Sequence, residues 1–312
     1  MVFLLSIFYI NHNYYKRVFI LFVCLCIICF VGLRYNSIDY FSYMEIFDVV
    51  SDFEELTVYG YPVNWAGNIE PGFALSILFF KSLNLNFYVF IFIFSFVSIC
   101  IKFVAFKKMS PYIFITLLIY LSDNLVYKDM GQIRNAMASG IILLSIYYLY
   151  NKRNFIFFTL ILFAISIHFF SMLGFLIYIF KNLRNKKILI SLLLISLVIS
   201  FLGGIVKIII PILEVFNLSI FSKIMIYDNS TDFLKNISIF NGTNILQIII
   251  VVIILTHYDK LIKYWKFNEI LIPIFLLSSM LMFLFIDFEI IWGRTRDMFV
   301  TPLLAVILPS FL

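Results

Sequence analysis

Long apolar runs alternate with short polar segments from one end of the chain to the other. A helix of about 20 apolar residues crosses a hydrocarbon core of about 30 Å, and most of these runs approach that length. Their Leu, Ile and Phe residues lack the period-two alternation of a membrane β-strand, so we predict helices. The longest candidate spans are 18–33, 85–101, 111–127, 132–150, 188–210, 244–258, 269–287 and 296–312. Together with shorter segments, they predict an all-α, polytopic transmembrane helical bundle of about nine to eleven membrane segments.

The composition excludes a water-soluble protein. Hydrophobic residues occupy 63% of the 312 positions and charged residues 13%, with a mean hydropathy of +1.07. A soluble domain has about 45–50% apolar and about 25% charged residues. We therefore expect a single integral membrane domain over residues 1–312.

The net charge of +6 does not indicate nucleic-acid binding, because the basic residues form short clusters between the apolar runs. By the positive-inside rule these clusters face the cytoplasm. The main outer loops then fall at about 34–70 and 211–243, with shorter ones at 128–131 and 288–295. The clusters are Lys16/Arg17, Lys102/Lys107/Lys108, Lys152/Arg153, Lys181/Arg184/Lys186/Lys187 and Lys260/Lys263/Lys266.

Segment 155–180 does not fit a simple succession of spans, because basic residues flank it on both sides, at Arg153 and at Lys181. One helix would place these flanks on opposite membrane faces, whereas two full spans need about 40 residues. We predict two short or re-entrant helices that meet near His168. Non-helical backbone at membrane depth is tolerated only within protein or along a wet cavity, so we expect His168 inside the protein, open toward the outer side.

Four arginines lie on the outer face in this topology, against the positive-inside bias. Arg34 ends the first full span, Arg134 begins a later helix, and Arg294 and Arg296 adjoin the last one. Charges at such positions usually mark a functional site. The planar guanidinium binds phosphate or carboxylate through two points, so we expect an anionic ligand, with a diphosphate as the candidate.

Three groups of residues, taken in order, resemble a known family. The first is Gly32-Leu33-Arg34-Tyr35 with Asp39-Tyr40 and Tyr43; the second is Gly131-Gln132-Ile133-Arg134 with Ala136 and Ala138; the third is Ile167-His168-Phe169 with Ser171. Over about residues 30–310 they resemble the EpsG family. That family is similar to the Wzy-type O-antigen and polysaccharide polymerases of bacterial membranes.

The resemblance implies a membrane glycosyltransferase of polysaccharide biosynthesis. Such an enzyme joins oligosaccharide repeat units, such as those of lipopolysaccharide, carried on undecaprenyl diphosphate at the periplasmic face of the bacterial inner membrane. The expected partners are the undecaprenyl-diphosphate-linked oligosaccharide and membrane lipid, and a chain-length regulator protein is a further candidate. We expect no nucleic acid, and no metal or other cofactor, because the arginines supply the positive charge.

The resemblance and the topology together suggest a role for each unusual residue. The candidate diphosphate-binding residues are Arg34, Arg134, Arg294 and Arg296. The candidate bases for the acceptor hydroxyl are His168 and Asp39. The candidates for stacking on sugar rings are Tyr40, Tyr43 and Trp292.

Structural roles for the same residues stay open. Arg34 fits an interfacial anchor whose charged end reaches the headgroups. Arg134 fits a local pair with Asp129. Arg294 and Arg296 fit an interface belt beside Trp292. His168 fits a hydrogen-bonded buried histidine, Asp39 the cap of a helix over 40–48, and Tyr40 and Tyr43 packing aromatics.

Competing functions also stay open. A flippase for the same lipid-linked substrate places cations along a midplane pathway, often between pseudo-symmetric halves, whereas here the arginines gather at one face and no repeat is present. An O-antigen ligase shares the outer arginines with a polymerase, so the sequence hardly separates the two. A membrane acyltransferase is a further rival. A non-enzymatic scaffold explains the outer charges least well.

Overall fold

The computed structural model describes residues 13–50, 69–123, 125–208 and 237–312. All the regular secondary structure within these ranges is helical. This confirms the predicted all-α class. Residues 51–68 of the first predicted outer loop and most of the loop 211–243 lie outside the described part of the chain.

The described residues up to Leu176 form one compact unit, which also includes Leu308–Ser310. Its helices are α1 (Asn13–Gly32), α2 (Tyr40–Val49), α3 (Pro71–Ser82), α4 (Phe87–Met109), α5 (Ile113–Asp123), α6 (Ile133–Tyr150) and α7 (Asn154–Ile167), followed by the start of α8 (Gly174–Phe180). A π-helical turn, Leu125–Asp129, precedes α6, and a 3₁₀ turn, Phe169–Leu173, follows α7. In this unit α4 packs against α1 and α6, and α7 packs against α6 and α3.

An aromatic cluster forms the core between α2, α3 and α4. Phe73 and Phe90 are fully buried, and their ring centroids lie 5.8 Å apart in an edge-on arrangement. Phe94 meets Phe73 at 5.5 Å, and Phe47 meets Phe90 at the same distance. Offset or edge-to-face aromatic pairs of this kind contribute about 0.5–1.5 kcal/mol each beyond area burial. The cluster therefore fixes the position of α3, whose N-terminal end adjoins the candidate site described below.

The segment 155–180 contains the predicted break. Helix α7 ends at Ile167, and His168 adopts an extended backbone with φ −151° and ψ 115°. The chain then re-enters helical geometry as the 3₁₀ turn and α8. Two short helical segments therefore meet at His168, as predicted.

The second unit runs from Ile177 to Ile307 and includes Phe311. The helices of this unit that follow α8 are α9 (Lys186–Phe201), α10 (Gly242–Thr256), α11 (Tyr258–Tyr264), α12 (Asn268–Leu284), α13 (Glu289–Thr295) and α14 (Thr301–Ile307). Its central helix, α12, is buried along almost its whole length and packs against α9, α10 and α13. Gln247 of α10 donates a hydrogen bond through Nε2 to Ser279 Oγ of α12 at 2.7 Å.

Large apolar side chains cover much of the outer surface of several helices. On α1, Leu21 is 63% and Leu25 56% exposed, and on α9, Leu194 and Val198 are both 58% exposed. Contiguous apolar surface of this kind is penalised in water and favourable against lipid tails. The apolar helices therefore indicate a membrane protein.

Length restricts which helices span a bilayer by themselves. Among the described helices, α4 alone is at least 18 residues long and apolar enough to cross a membrane. The helices α10 and α11 pass the same test together but bend by 70° at the break between them. Several other apolar helices have 10–17 residues. The multi-pass topology and the count of nine to eleven segments stay predictions.

Candidate functional site

The centre of the candidate site is the carboxylate of Glu70, in the first unit. Arg134 Nη1 donates to Glu70 Oε2 at 2.5 Å. The other carboxylate oxygen, Oε1, lies 3.0 Å from His168 Nδ1 and accepts the backbone N–H of Phe169 at 3.0 Å. Residues 64 and 98 positions from Glu70 along the chain therefore meet on one side chain. We call Glu70, Arg134 and His168 the carboxylate cluster.

Local backbone geometry brings the members of the carboxylate cluster together. Glu70 is the N-cap of α3, and its extended backbone with φ −64° and ψ 141° precedes Pro71 at the first helical position. Proline suits that position because its missing N–H would have no helical partner. His168 lies at the break after α7, where the extended backbone directs the chain away from the helix axis. Arg134 lies in the first turn of α6.

The close packing of α3 and α7 depends on Gly72. A Cβ at this position would lie 2.3 Å from Ser166 Oγ and 2.8 Å from the Ser166 carbonyl oxygen. Such contacts are too short for any side chain larger than hydrogen. Glycine therefore allows the N-terminus of α3 to approach α7 close to the position of His168.

Glu70 is held in its charged form. Its side chain is only 12% exposed. Burial alone would raise the pKa of this carboxyl, but the hydrogen bond with His168, the charge of Arg134 and the Phe169 N–H outweigh it and lower the pKa to about 2. A buried carboxylate that accepts several hydrogen bonds and pairs with an arginine has this behaviour. The cluster therefore holds a fixed negative charge next to the imidazole.

Arg134 is fixed by aromatic rings as well as by Glu70. Its guanidinium carbon lies 5.8 Å from the ring centroid of Tyr43 and 5.5 Å from that of Phe73. Cation–π contacts at these distances contribute about 0.5–2 kcal/mol. Arg134 Nε is buried and has no hydrogen-bond partner among the described residues. The guanidinium therefore keeps hydrogen-bonding capacity beyond its contact with Glu70.

Arg34 is the other candidate diphosphate-binding arginine in this unit, and it is 6% exposed. Its Nη1 donates to the Val31 carbonyl at 2.5 Å and to Ser95 Oγ at 3.1 Å, both of which are neutral acceptors. Its Nε and Nη2 are buried and have no hydrogen-bond partner within the described ranges. Tyr43 interacts electrostatically with both Arg34 and Arg134. The structure thus brings both arginines close to the same tyrosine.

A second ionic cluster lies within the same unit. Lys102 Nζ donates to Asp129 Oδ1 at 2.5 Å, and Tyr120 donates to Asp129 Oδ2 at 2.6 Å. All three side chains are buried. The assignment of Lys102 to a cytoplasmic cluster, opposite an outer loop that holds Asp129, is therefore wrong. Hydropathy ended the span at 101, whereas α4 continues to Met109 and encloses Lys102.

The same contacts exclude one structural role proposed for Arg134. A local pair between Arg134 and Asp129 is not formed, because Arg134 binds Glu70 and Asp129 binds Lys102.

Asp39 is at the N-cap of α2 (Tyr40–Val49), close to the predicted helix, although its side chain makes no capping hydrogen bond. It is half-buried. The role of Asp39 as a base stays a prediction.

Tyr40 and Tyr43 both lie on the buried face of α2. The Tyr40 hydroxyl is buried and has no hydrogen-bond partner within the described parts of the chain, and its ring packs edge-on against Phe87 at 5.3 Å. Tyr43 packs against Phe73 at 5.9 Å. Both rings thus contribute to the aromatic core, and their roles in sugar binding stay predictions.

The remaining candidates belong to the second unit. Trp292 donates through Nε1 to Asn244 Oδ1 at 3.1 Å. Arg294 lies in the last turn of α13, and Arg296 begins a π-helical turn, where its Nη1 lies 3.9 Å from Asp297 Oδ1. Their roles in diphosphate binding, and that of Trp292 in sugar stacking, stay predictions.

Sequence reasoning missed Glu70 as a site residue. The signal that could have found it is its place directly before Pro71, at the start of a helix. No group of three or more His, Cys, Asp or Glu side chains that could hold a metal ion is present among the described residues.

Comparison with known proteins gives the family. The model of the EpsG family matches residues 17–312, which is nearly the whole chain. No curated protein and no solved structure matches this chain. The match includes all three residue groups that carried the resemblance, and it covers both structural units. The chain belongs to the EpsG family.

Proposed function

We propose that this protein is a bacterial polysaccharide polymerase that joins undecaprenyl-diphosphate-linked oligosaccharide repeat units, as in O-antigen synthesis. Membership of the EpsG family supports a glycan polymerase-like role in the membrane. The observation that carries the proposal is the carboxylate cluster, in which Arg134, Glu70 and His168 meet within hydrogen-bonding distance. In this proposal the reaction takes place at the periplasmic face of the inner membrane.

The buried arginines suit the departing diphosphate. When the glycosidic bond forms, negative charge moves onto the diphosphate oxygen that leaves the donor sugar. Cationic hydrogen-bond donors placed beforehand in a dry site stabilise that charge without reorganisation. Arg34 offers two buried N–H-bearing nitrogens with no hydrogen-bond partner among the described residues, and Arg134 offers one. We assign Arg34 as the principal diphosphate contact, because its described hydrogen-bond partners are neutral.

His168 suits the other half of the reaction. An acceptor sugar hydroxyl becomes a better nucleophile when a nearby group takes its proton, and histidine is the side chain most often used for this. His168 is buried at a break in the helix and interacts with a charged carboxylate. Proton removal and diphosphate stabilisation then occur in one unit of the protein.

Complementation of a strain that lacks this gene tests the proposal. We expect the deletion strain to carry surface glycan capped with a single repeat unit, and the wild-type gene to restore a ladder of longer chains. A flippase or ligase predicts instead that no glycan reaches its surface acceptor and that lipid-linked material accumulates. That result would exclude a polymerase.

A matched pair of variants connects the ladder to the site. Arg134→Ala removes an arginine bound to Glu70 in the carboxylate cluster, whereas Arg184→Ala removes an arginine bound to Glu269 at 3.0 Å on the surface. We expect single-unit glycan from Arg134→Ala and a normal ladder from Arg184→Ala. Full chain lengths from Arg134→Ala, at equal expression, would count against the site.

A further inference from the structure

We propose that Glu70 is a positioning residue for His168, which it orients so that Nδ1 carries the proton and Nε2 accepts the proton of the sugar hydroxyl. This inference rests on the proposed function. It adds to that function a residue and a tautomer that neither the sequence groups nor the family membership indicates.

The contacts of Glu70 determine the direction of the His168 hydrogen bond. The carboxylate is ionised, so both oxygens accept and neither donates. His168 Nδ1 lies 3.0 Å from Oε1 and is therefore the protonated nitrogen in the neutral ring. In a neutral imidazole the other nitrogen, Nε2, is then the acceptor. The Glu70 carboxylate thus determines that Nε2 is the ring nitrogen of His168 that acts as the base.

Two further donors keep the carboxylate in place. Arg134 binds the oxygen that faces away from His168, and the Phe169 N–H binds the same oxygen as His168. The second contact comes from the residue next to His168, so the carboxylate holds both the ring and the backbone that carries it. The charged groups that hold His168 in place include Glu70, at the start of α3, which contacts the ring, and Arg134 of α6, which binds Glu70. The 3₁₀ turn after His168 contributes no charged group.

The acceptor hydroxyl transfers its proton to Nε2 of His168 while its oxygen forms a bond to the anomeric carbon of the donor sugar. The bond between that carbon and the diphosphate oxygen breaks, and its electron pair leaves with the undecaprenyl diphosphate. His168 becomes an imidazolium, which the negative charge of Glu70 stabilises. The proton is then released to the diphosphate or to water, which restores the base.

The pH dependence of the rate tests this role. The full-length protein in liposomes is given undecaprenyl-diphosphate-linked oligosaccharide extracted from the deletion strain, and the rate of chain extension is measured against pH. For Glu70→Gln we expect a fall in kcat of about 10- to 10³-fold with little change in KM. We also expect the acid limb of the profile to move to lower pH by about one unit, because the imidazolium loses its carboxylate partner.

Glu70→Asp is the conservative control for charge. It keeps the negative charge with a shorter side chain, so we expect the acid limb to stay at the wild-type pH while kcat falls less than in Glu70→Gln. A Glu70→Gln profile with wild-type kcat and wild-type acid limb would overturn the positioning role. Wild-type protein that extends no chains would instead refute the proposed function, so the two failures are distinguishable.

A measurement that retains Glu70 keeps the inference falsifiable even where Glu70→Gln does not fold. The chain has three histidines, and replacing His12 and His257 with Gln leaves only His168. Nitrogen NMR of this protein labelled with ¹⁵N-histidine reports which ring nitrogen is protonated at neutral pH. We expect protonated Nδ1 and unprotonated Nε2. Protonated Nε2 with unprotonated Nδ1 would overturn the assignment.

Discussion

Replacing Gly72 with alanine tests the close packing of α3 and α7 that brings Glu70 to His168. The added Cβ would lie 2.3 Å from Ser166 Oγ, and 2.8 Å from both Ser166 Cβ and the Ser166 carbonyl oxygen. Rotation of the hydroxyl relieves only the first contact, because the carbonyl belongs to the α7 backbone. The two helices must therefore move apart.

Two effects lower the free energy of unfolding of Gly72→Ala. Overpacking of a tight interface costs about 1–3 kcal/mol. The movement also lengthens the 3.0 Å contacts from His168 and Phe169 to Glu70, and a hydrogen bond to a charged group contributes about 1.5–3 kcal/mol. Together these terms predict that Gly72→Ala lowers the free energy of unfolding by about 2.5–6 kcal/mol. Loss of the Glu70 contacts also lowers the chain-extension rate.

Unfolding by SDS titration from detergent micelles, followed by circular dichroism, measures the stability. Gly242→Ala is the matched control, because a Cβ at Gly242 meets nothing within 4 Å. We expect that variant to unfold like the wild type and to extend chains normally. If Gly72→Ala has the stability and the chain-extension rate of the wild type, α3 and α7 do not pack as closely as the contacts at Gly72 require.

Three further predictions concern the charged clusters. The pKa of Glu70 is lowered from 4.5 to about 2. The ionised carboxylate therefore contributes about 3 kcal/mol to stability above pH 4.5, and this contribution is lost as the pH falls toward 2. In SDS titrations at different pH, Glu70→Gln should remove this part of the acid dependence. Lys102→Ala leaves Asp129 buried without its cation and should destabilise by about 3–5 kcal/mol, whereas Lys102→Met combined with Asp129→Asn should recover most of that loss. A double variant no more stable than the single one would contradict this. Arg134→Lys keeps the charge but loses the planar contact with the rings of Tyr43 and Phe73, so glycan chains in the complemented strain should shorten; unchanged lengths would show that the planar group is not needed.

Much of the helical architecture could be predicted from the sequence, because hydropathy reports local burial. The break at His168 could be predicted because the basic residues on both sides of segment 155–180 are too close together in the sequence for two full spans. A single span would place them on opposite membrane faces. The start of α3 can be predicted from Pro71, because its ring fixes a backbone angle suited to the first helical turn. In both cases the determining residues lie within the element or directly beside it in the sequence.

The contacts of the site could not be predicted in the same way. The meeting of Glu70 and His168 depends on the packing of α3 against α7, which a glycine without a Cβ permits and which hydropathy does not record. Lys102 was misassigned for a related reason. A positive charge between apolar runs usually indicates a loop, whereas the partner of Lys102, Asp129, lies 27 residues away, and only the folded chain shows that the two charges compensate each other.

Chain extension by the purified protein tests most directly whether the carboxylate cluster is the site at which repeat units are joined. Wild-type, His168→Ala and Arg184→Ala proteins are each placed in liposomes with the lipid-linked oligosaccharide, and the products are separated by size. We predict a ladder of products from the wild type and Arg184→Ala, and single units from His168→Ala. A full ladder from a folded His168→Ala protein would contradict the assignment.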